Sequence, residues 1–227
     1  MKKIPPHDWN VSPEEAIRIQ ERLRAKIRLR FPPMTLKRIA AGDVAYRSKD
    51  ETLYGAFLLF RYPDLVLLEK TWAKGRASFP YVPGLLTFRE APILLEAFAQ
   101  LQEKPDLILL DGQGIAHPRR MGIASHLGLL LDLPAIGCAK SRLIGSSGEL
   151  GLEEGSASPL LEDGNTIGMV VRTRTKVNPV FVSPGPKIGI TKSRKIVLSL
   201  CRGYRIPEPL RQAHLFVNSI RKSEVNR

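Results

Sequence analysis

Cysteine is scarce in this 227-residue chain: Cys138 and Cys201 are the only two. With no Cys-rich or paired Cys/His context, that excludes a disulfide-stapled scaffold and a structural zinc module, and a reducing compartment is expected. Long apolar runs are missing too. No segment approaches the roughly 20 apolar residues needed to span a bilayer. The opening Met1-Lys2-Lys3-Ile4-Pro5-Pro6 follows its lysines with no apolar signal core, so a cytoplasmic protein without a membrane partner is expected. Internal repeats and low-complexity linkers are absent, which points to a single domain over residues 1–227. Acidic residues run out toward the C-terminus. From Arg172 onward 13 Lys and Arg meet two acidic residues, a net of +11 that leaves only +2 for the first 171 residues. A basic excess this lopsided suits a polyanion, because Lys and Arg gain by releasing counterions from phosphates.

What is present is an ordered alternation. Ser12–Arg30 reads as an amphipathic helix, with Ser12 and Glu15 at capping-box spacing, Pro13 in the first turn and Pro32-Pro33 as a stop. Three strands are expected at Arg38–Tyr46, Thr52–Arg61 and Leu65–Thr71, joined by short turns at Ser48-Lys49-Asp50 and Tyr62-Pro63-Asp64 as antiparallel hairpins. Then come a helix at Glu90–Gln102, a strand at Leu107–Leu110, a helix at Gly122–Leu131 and a strand at Leu133–Ala139. Residues 145–165, rich in Gly, Ser and Glu, read as a surface excursion. Strands at Ile167–Arg172 and Val180–Ser183 precede a helix from Pro186 to Leu200 and a terminal helix opened by Pro207 and Pro209. A three-strand antiparallel meander followed by alternating β and α, with helices flanking a mixed sheet, is the order of a ribonuclease H-like α/β fold.

Four ionisable residues and one loop carry the chemical interest. Asp43 interrupts an apolar strand, where an unpartnered carboxylate is costly. Asp111 ends the run Leu107-Ile108-Leu109-Leu110 at the carboxyl edge of a parallel strand, where α/β sites lie, although a turn or helix-cap role is open. Glu90 stands where a helix is expected to begin, a place that also favours an acid by the helix dipole alone. His214 falls in the terminal helix, where a surface or core role is equally open. The loop is Pro80-Tyr81-Val82-Pro83: two prolines make it stiff and poor at both helix and strand pairing, with an aromatic at its tip. Carboxylates converging from neighbouring strands bind hard cations such as Mg²⁺, and paired metals about 4 Å apart activate water for in-line phosphodiester attack.

Taken together, the segments Gly42–Tyr46, Pro80–Glu90, Leu109–Arg119 and Cys201–Pro209 resemble, in order and spacing, the signatures of the endonuclease V family. That resemblance implies a metal-dependent DNA-repair endonuclease acting on deaminated bases, chiefly deoxyinosine. It implies cleavage at the second phosphodiester 3′ of the lesion, leaving 3′-hydroxyl and 5′-phosphate ends. The implied cofactor is Mg²⁺, with Mn²⁺ as a substitute. The implied partner is DNA containing deoxyinosine, with inosine-containing RNA or single-stranded DNA as alternatives, bound by a monomer. Asp43, Glu90 and Asp111 would form the acidic metal site, with His214 beside it and Lys140 near the scissile phosphate. Pro80, Tyr81, Val82 and Pro83 would be a wedge filling the gap left by the rotated base. Gly84, Leu86, Gly112, Gly114, His117 and Ile123 would line the base pocket, largely through backbone. For His117 a phosphate contact or a satisfied core role stays open, and for Lys140 an exposed strand-end cation. The chain departs from the family pattern at Ser183-Pro184-Gly185-Pro186-Lys187, where Pro186 is expected to remove an amide donor at a helix N-terminus and Lys187 and Lys192 to compensate by charge. A non-catalytic binder and a structure-selective nuclease of the same fold are the competing classes.

Overall fold

The computed structural model describes residues 7–33, 35–47 and 49–225. The expectations drawn from Met1–Pro6 and from Ser48 therefore lie outside the described residues. The elements run α1 (Pro13–Arg24), β1 (Arg38–Arg47), β2 (Thr52–Arg61), β3 (Leu67–Arg76), α2 (Leu86–Ala99), β4 (Leu107–Leu110), α3 (Ile123–Leu131), β5 (Ala135–Ala139), β6 (Ala157–Glu162), β7 (Asn165–Val171), β8 (Val180–Pro184), α4 (Ile190–Ser199) and α5 (Glu208–Val225). The strands form one mixed sheet in the order β3-β2-β1-β4-β5-β8-β7-β6. β1, β2 and β3 make the expected antiparallel meander, and β4 and β5 add parallel to it. A second antiparallel run, β8-β7-β6, completes the far side.

Both faces of the central strands are covered, so these strands read as near-continuous apolar runs. The period of two still sorts them. Ile39, Ala41, Leu107 and Leu109 enter one core with residues of α4 and α5, while Ala40, Ile108 and Leu110 enter another with residues of α2 and α3. Asp43 has the parity of Ile39 and Ala41, so the pleat turns it to the α5 side. In the β1–β4 register Gly42 pairs with Leu110, which sets Asp43 and Asp111 one residue beyond the same rung. Two adjacent parallel strands thus deliver two carboxylates to one edge.

Several boundaries moved for identifiable reasons. α1 ends at Arg24, well short of Pro32, because Arg28 Nη1 caps the carbonyls of Ala25 and Ile27 and the Arg28 carbonyl is taken by the Lys187 amide. α2 starts at Leu86, so Glu90 sits in its second turn and not at its N-terminus, and Pro92 lies inside the helix. β3 extends to Arg76 because β2 offers a full partner edge from Thr52 to Ala56. The 145–165 excursion is partly strand: β6 pairs with β7, and Ser146 bridges Leu161. α4 begins at Ile190 with Gly189 as its N-cap, so Pro186 is in the preceding loop and removes no donor from that helix end. Both cysteines are free. Among the described residues no helix is long and apolar enough to cross a membrane.

Candidate active site

Asp43, Glu90 and Asp111 line a single cleft of about 610 Å³, within the range of roughly 300–1,000 Å³ typical of ligand pockets. β1 carries Asp43, Asp111 directly follows the end of β4, and α2 brings the glutamate. Asp43 is 9% exposed; the Val44 amide donates to its Oδ1 at 2.9 Å, and His214 Nδ1 lies 2.8 Å from its Oδ2. Burial, reinforced by the neighbouring charge of Asp111, raises the Asp43 pKa against the pull of the His214 hydrogen bond. Glu90 is also 9% exposed, and burial together with the charges of Asp43 and Asp111 pushes its pKa up to about 8. Asp111 forms an ion pair with Lys140, whose side chain is partly exposed at the end of β5.

The three acids repel one another in a desolvated place, and protein cations meet only part of that charge. Oxygen donors of this kind suit a hard divalent cation. Among the described residues no group of three or more His, Cys, Asp or Glu side chains stands, as arranged here, so that it could hold a metal ion. Lys140 and His214 occupy two of the carboxylates. As oxygen donors the residues present suit a divalent ion once Lys140 leaves Asp111.

The Pro80–Pro83 loop forms the opposite wall. Tyr81 is 70% exposed, while Phe79 and Leu85 on either side are buried with Phe88 and Met121. The loop is therefore an exposed tip on a buried root. Gly84 adopts φ +78°, a backbone conformation that side-chain-bearing residues rarely take, and a Cβ there would also push on Arg119 Nη2 at 2.9 Å. Val82, Pro83, Gly84, Leu86, Gly112, His117 and Ile123 line the cleft. Two expected residues do not face it. Pro80 is exposed beside it, and Gly114 is buried against β8, its amide donating to Ser183 Oγ at 2.7 Å. Lys187 and Lys192 are also engaged elsewhere, Lys187 with Asp132 and Lys192 over the Phe31 ring at 3.7 Å.

The cleft also holds residues that no sequence signal marked. Asn218 and Arg221 join His214 at helical spacing on one face of α5, a stripe that period 3.6 could have suggested. Tyr46, half exposed at the end of β1, stands at the rim. Gln20, fully buried on α1, reaches the Gly84 carbonyl. Nothing in the sequence ties α1 to the loop.

An exposed Pro-Tyr-Val-Pro loop, a glycine turn and clustered acids on one cleft are the features the sequence motifs pointed to, and a family model described as endonuclease V matches residues 19–215. The chain belongs to the endonuclease V family. Membership makes it a nuclease. An endonuclease V of Gloeobacter violaceus is 46% identical over 220 residues, covering 96% of this chain and 89% of that protein. The crystal structure of the Streptomyces avermitilis endonuclease V superposes with a TM-score of 0.91 at 40% identity, covering 97% of each chain. A Ciona intestinalis endonuclease V, solved with a 24-mer DNA containing an inosine followed by a ribo-adenosine, superposes with a TM-score of 0.81 at 29% identity, covering 92% of this chain and 98% of that one. The mixed sheet with flanking helices is accordingly the ribonuclease H-like fold of the family.

Proposed function

We propose that this chain is a DNA-repair endonuclease that selects deaminated bases, chiefly deoxyinosine, and hydrolyses the second phosphodiester 3′ of the lesion in a divalent-metal-dependent reaction. The observation that carries the reading is that Tyr81 and the three acids share one cleft. The Ciona relative's inosine-containing DNA supports the choice of lesion. The basic C-terminal quarter supplies the attraction for a polyanion.

Tyr81 fills the gap left when the lesion base rotates out, at a cost of a few kcal/mol that is least for a poorly paired base. The flipped base enters between the Gly84–Leu86 turn and the Gly112–Ile123 segment, where backbone amides and carbonyls tell hypoxanthine from adenine by its oxygen and ring N–H. Asp43, Glu90 and Asp111 would hold Mg²⁺, with Mn²⁺ as a substitute; bound there, it supplies an activated water and neutralises charge developing on the phosphate. Glu90 must give up its proton for that role, since without a cation its pKa stands at about 8. Lys140, released from Asp111, places a cation beside the scissile phosphate. His214 orients Asp43 through the 2.8 Å contact. Water attacks phosphorus, the P–O3′ bond breaks, and the products carry 3′-hydroxyl and 5′-phosphate ends. A second reading, cleavage of inosine-containing RNA, is favoured by the ribo-adenosine that follows the inosine in the Ciona ligand.

Matched DNA and RNA oligonucleotides with and without inosine, incubated with Mg²⁺ or chelator, test both. The expected result is a Mg²⁺-dependent nick two phosphodiesters 3′ of inosine in DNA. Absence of inosine-dependent nicks in both polymers would reject the proposal.

A further inference from the structure

The carbonyl oxygen of Gly84 receives three side-chain donors. Gln20 Nε2 reaches it at 3.1 Å from α1, and His117 Nε2 and Arg119 Nη2 reach it at 2.9 and 2.8 Å from the segment after β4. A carbonyl has two lone pairs, so three donors saturate it. The donors are themselves cross-linked. Arg119 Nε donates to Gln20 Oε1 at 2.5 Å, and Gln20 Nε2 also reaches the Met121 carbonyl at 3.3 Å. His117 Nδ1 accepts from the amides of Arg119 at 3.2 Å and Met121 at 3.4 Å. Those two contacts put the ring proton on Nε2, which makes His117 a neutral donor committed to Gly84.

Gln20 is 0% exposed on the apolar face of α1, between Ile19 and Leu23, where an amide is costly unless it is fully paired. A leucine would serve packing alone. Its hydrogen bonds all run to the Gly84 turn and to the Arg119–Met121 segment behind it. That turn is the joint between the Pro80–Pro83 loop and α2, the helix that carries Glu90. A carbonyl held from three directions fixes the angle of the joint.

We propose that Gln20 and Arg119, acting with His117 through the Gly84 carbonyl, are positioning residues for lesion selection: they lock the Tyr81 loop and the adjoining pocket wall in one register with the carboxylates. The inference rests on the endonuclease reading of the cleft, and its test separates the two. Gln20→Glu keeps the shape and the Arg119 contact but removes the donor and sets a carboxylate against the Gly84 oxygen. Arg119→Met removes two bonds, whereas Arg119→Lys keeps a cationic donor for Gly84.

The first readout needs no substrate. Amide hydrogen exchange at Gly84 and Leu85 should quicken about tenfold in Gln20→Glu and Arg119→Met, with β1 and β4 unchanged. In single-turnover cleavage of inosine and adenosine oligonucleotides with Mg²⁺, both variants should need about tenfold more enzyme for half-maximal rate on inosine. Their maximal rate and Mg²⁺ midpoint should stay within about threefold of the starting chain, and Arg119→Lys should recover most of the loss. Unchanged exchange at Gly84 and Leu85 overturns the clamp. A loss confined to the maximal rate, or one that Arg119→Lys does not recover, overturns the selection role. If the unmodified chain shows no inosine preference, the functional reading falls and the selection role with it, while exchange still decides whether the clamp exists.

Discussion

The two walls of the cleft are built by opposite means. On one side Asp43 sits on β1, Asp111 directly follows the end of the parallel β4 and Glu90 lies on a packed helix, with Asp43 and Glu90 each 9% exposed. On the other side the Tyr81 tip is 70% exposed, and its loop is held mainly at its root, by Phe79, Leu85 and the hydrogen bonds on Gly84. The carboxylate wall stores repulsion that a bound cation would relieve. The loop wall stores none and offers aromatic surface to whatever enters. On the proposed function, chemistry falls to the sheet and its packed helix and selection to a loop, a division that lets each be altered separately.

The largest effect should come from the carboxylate wall. Asp111→Ala should lower Mg²⁺-dependent nicking of inosine DNA at least about 10³-fold, the scale on which transition-state charge stabilisation is lost. Single-turnover rates at saturating enzyme check it. Next comes the loop wall. Tyr81→Ala should weaken selective binding of the inosine strand by about 5- to 150-fold, the equivalent of one lost stacking contact at roughly 1–3 kcal/mol, while leaving the melting temperature near that of the parent. Anisotropy titrations against inosine and adenosine strands measure it.

The stored repulsion itself is testable without substrate. Glu90 titrates at about 8 when folded against an unperturbed 4.5. A raised folded pKa contributes stability that is fully present below 4.5 and is lost as pH rises toward 8. Metal-free protein should therefore lose melting temperature across that window, Glu90→Gln should flatten the trend, and Mg²⁺ should raise the melting temperature more at pH 8 than at pH 5. The smallest effect lies away from both walls. Ser12 Oγ accepts from the Glu15 amide at 3.2 Å, so Ser12→Ala should cost about 1 kcal/mol of stability by denaturant titration and leave nicking unchanged.

Sequence patterning carried the sheet further than the loops. β2 was legible from end to end because its apolar run is bounded by turns, and β1 and β4 because Asp43 and Asp111 mark where their apolar stretches give way to function. The end of α1 was not legible, since it depends on Arg28 capping its own turn and pairing with a residue near α4. Glu90 was placed at a helix start, whereas α2 begins at Leu86; what holds the true first turn is Phe88, buried in a cluster with residues of α1 and α3. The same limit hid Gln20, whose partners lie 64 and 99 residues along the chain. Residue types and local spacing mark the atoms that do chemistry. They do not mark the ones that hold a loop from across the fold.

Separation of selection from cleavage is tested most directly by equilibrium binding of the Asp111→Ala variant to inosine and adenosine strands in chelator. The account predicts that the variant prefers the inosine strand at least about tenfold, as one stacking contact and a shaped base pocket require. Equal binding to the two strands would contradict it, because selection would then depend on the intact carboxylate wall.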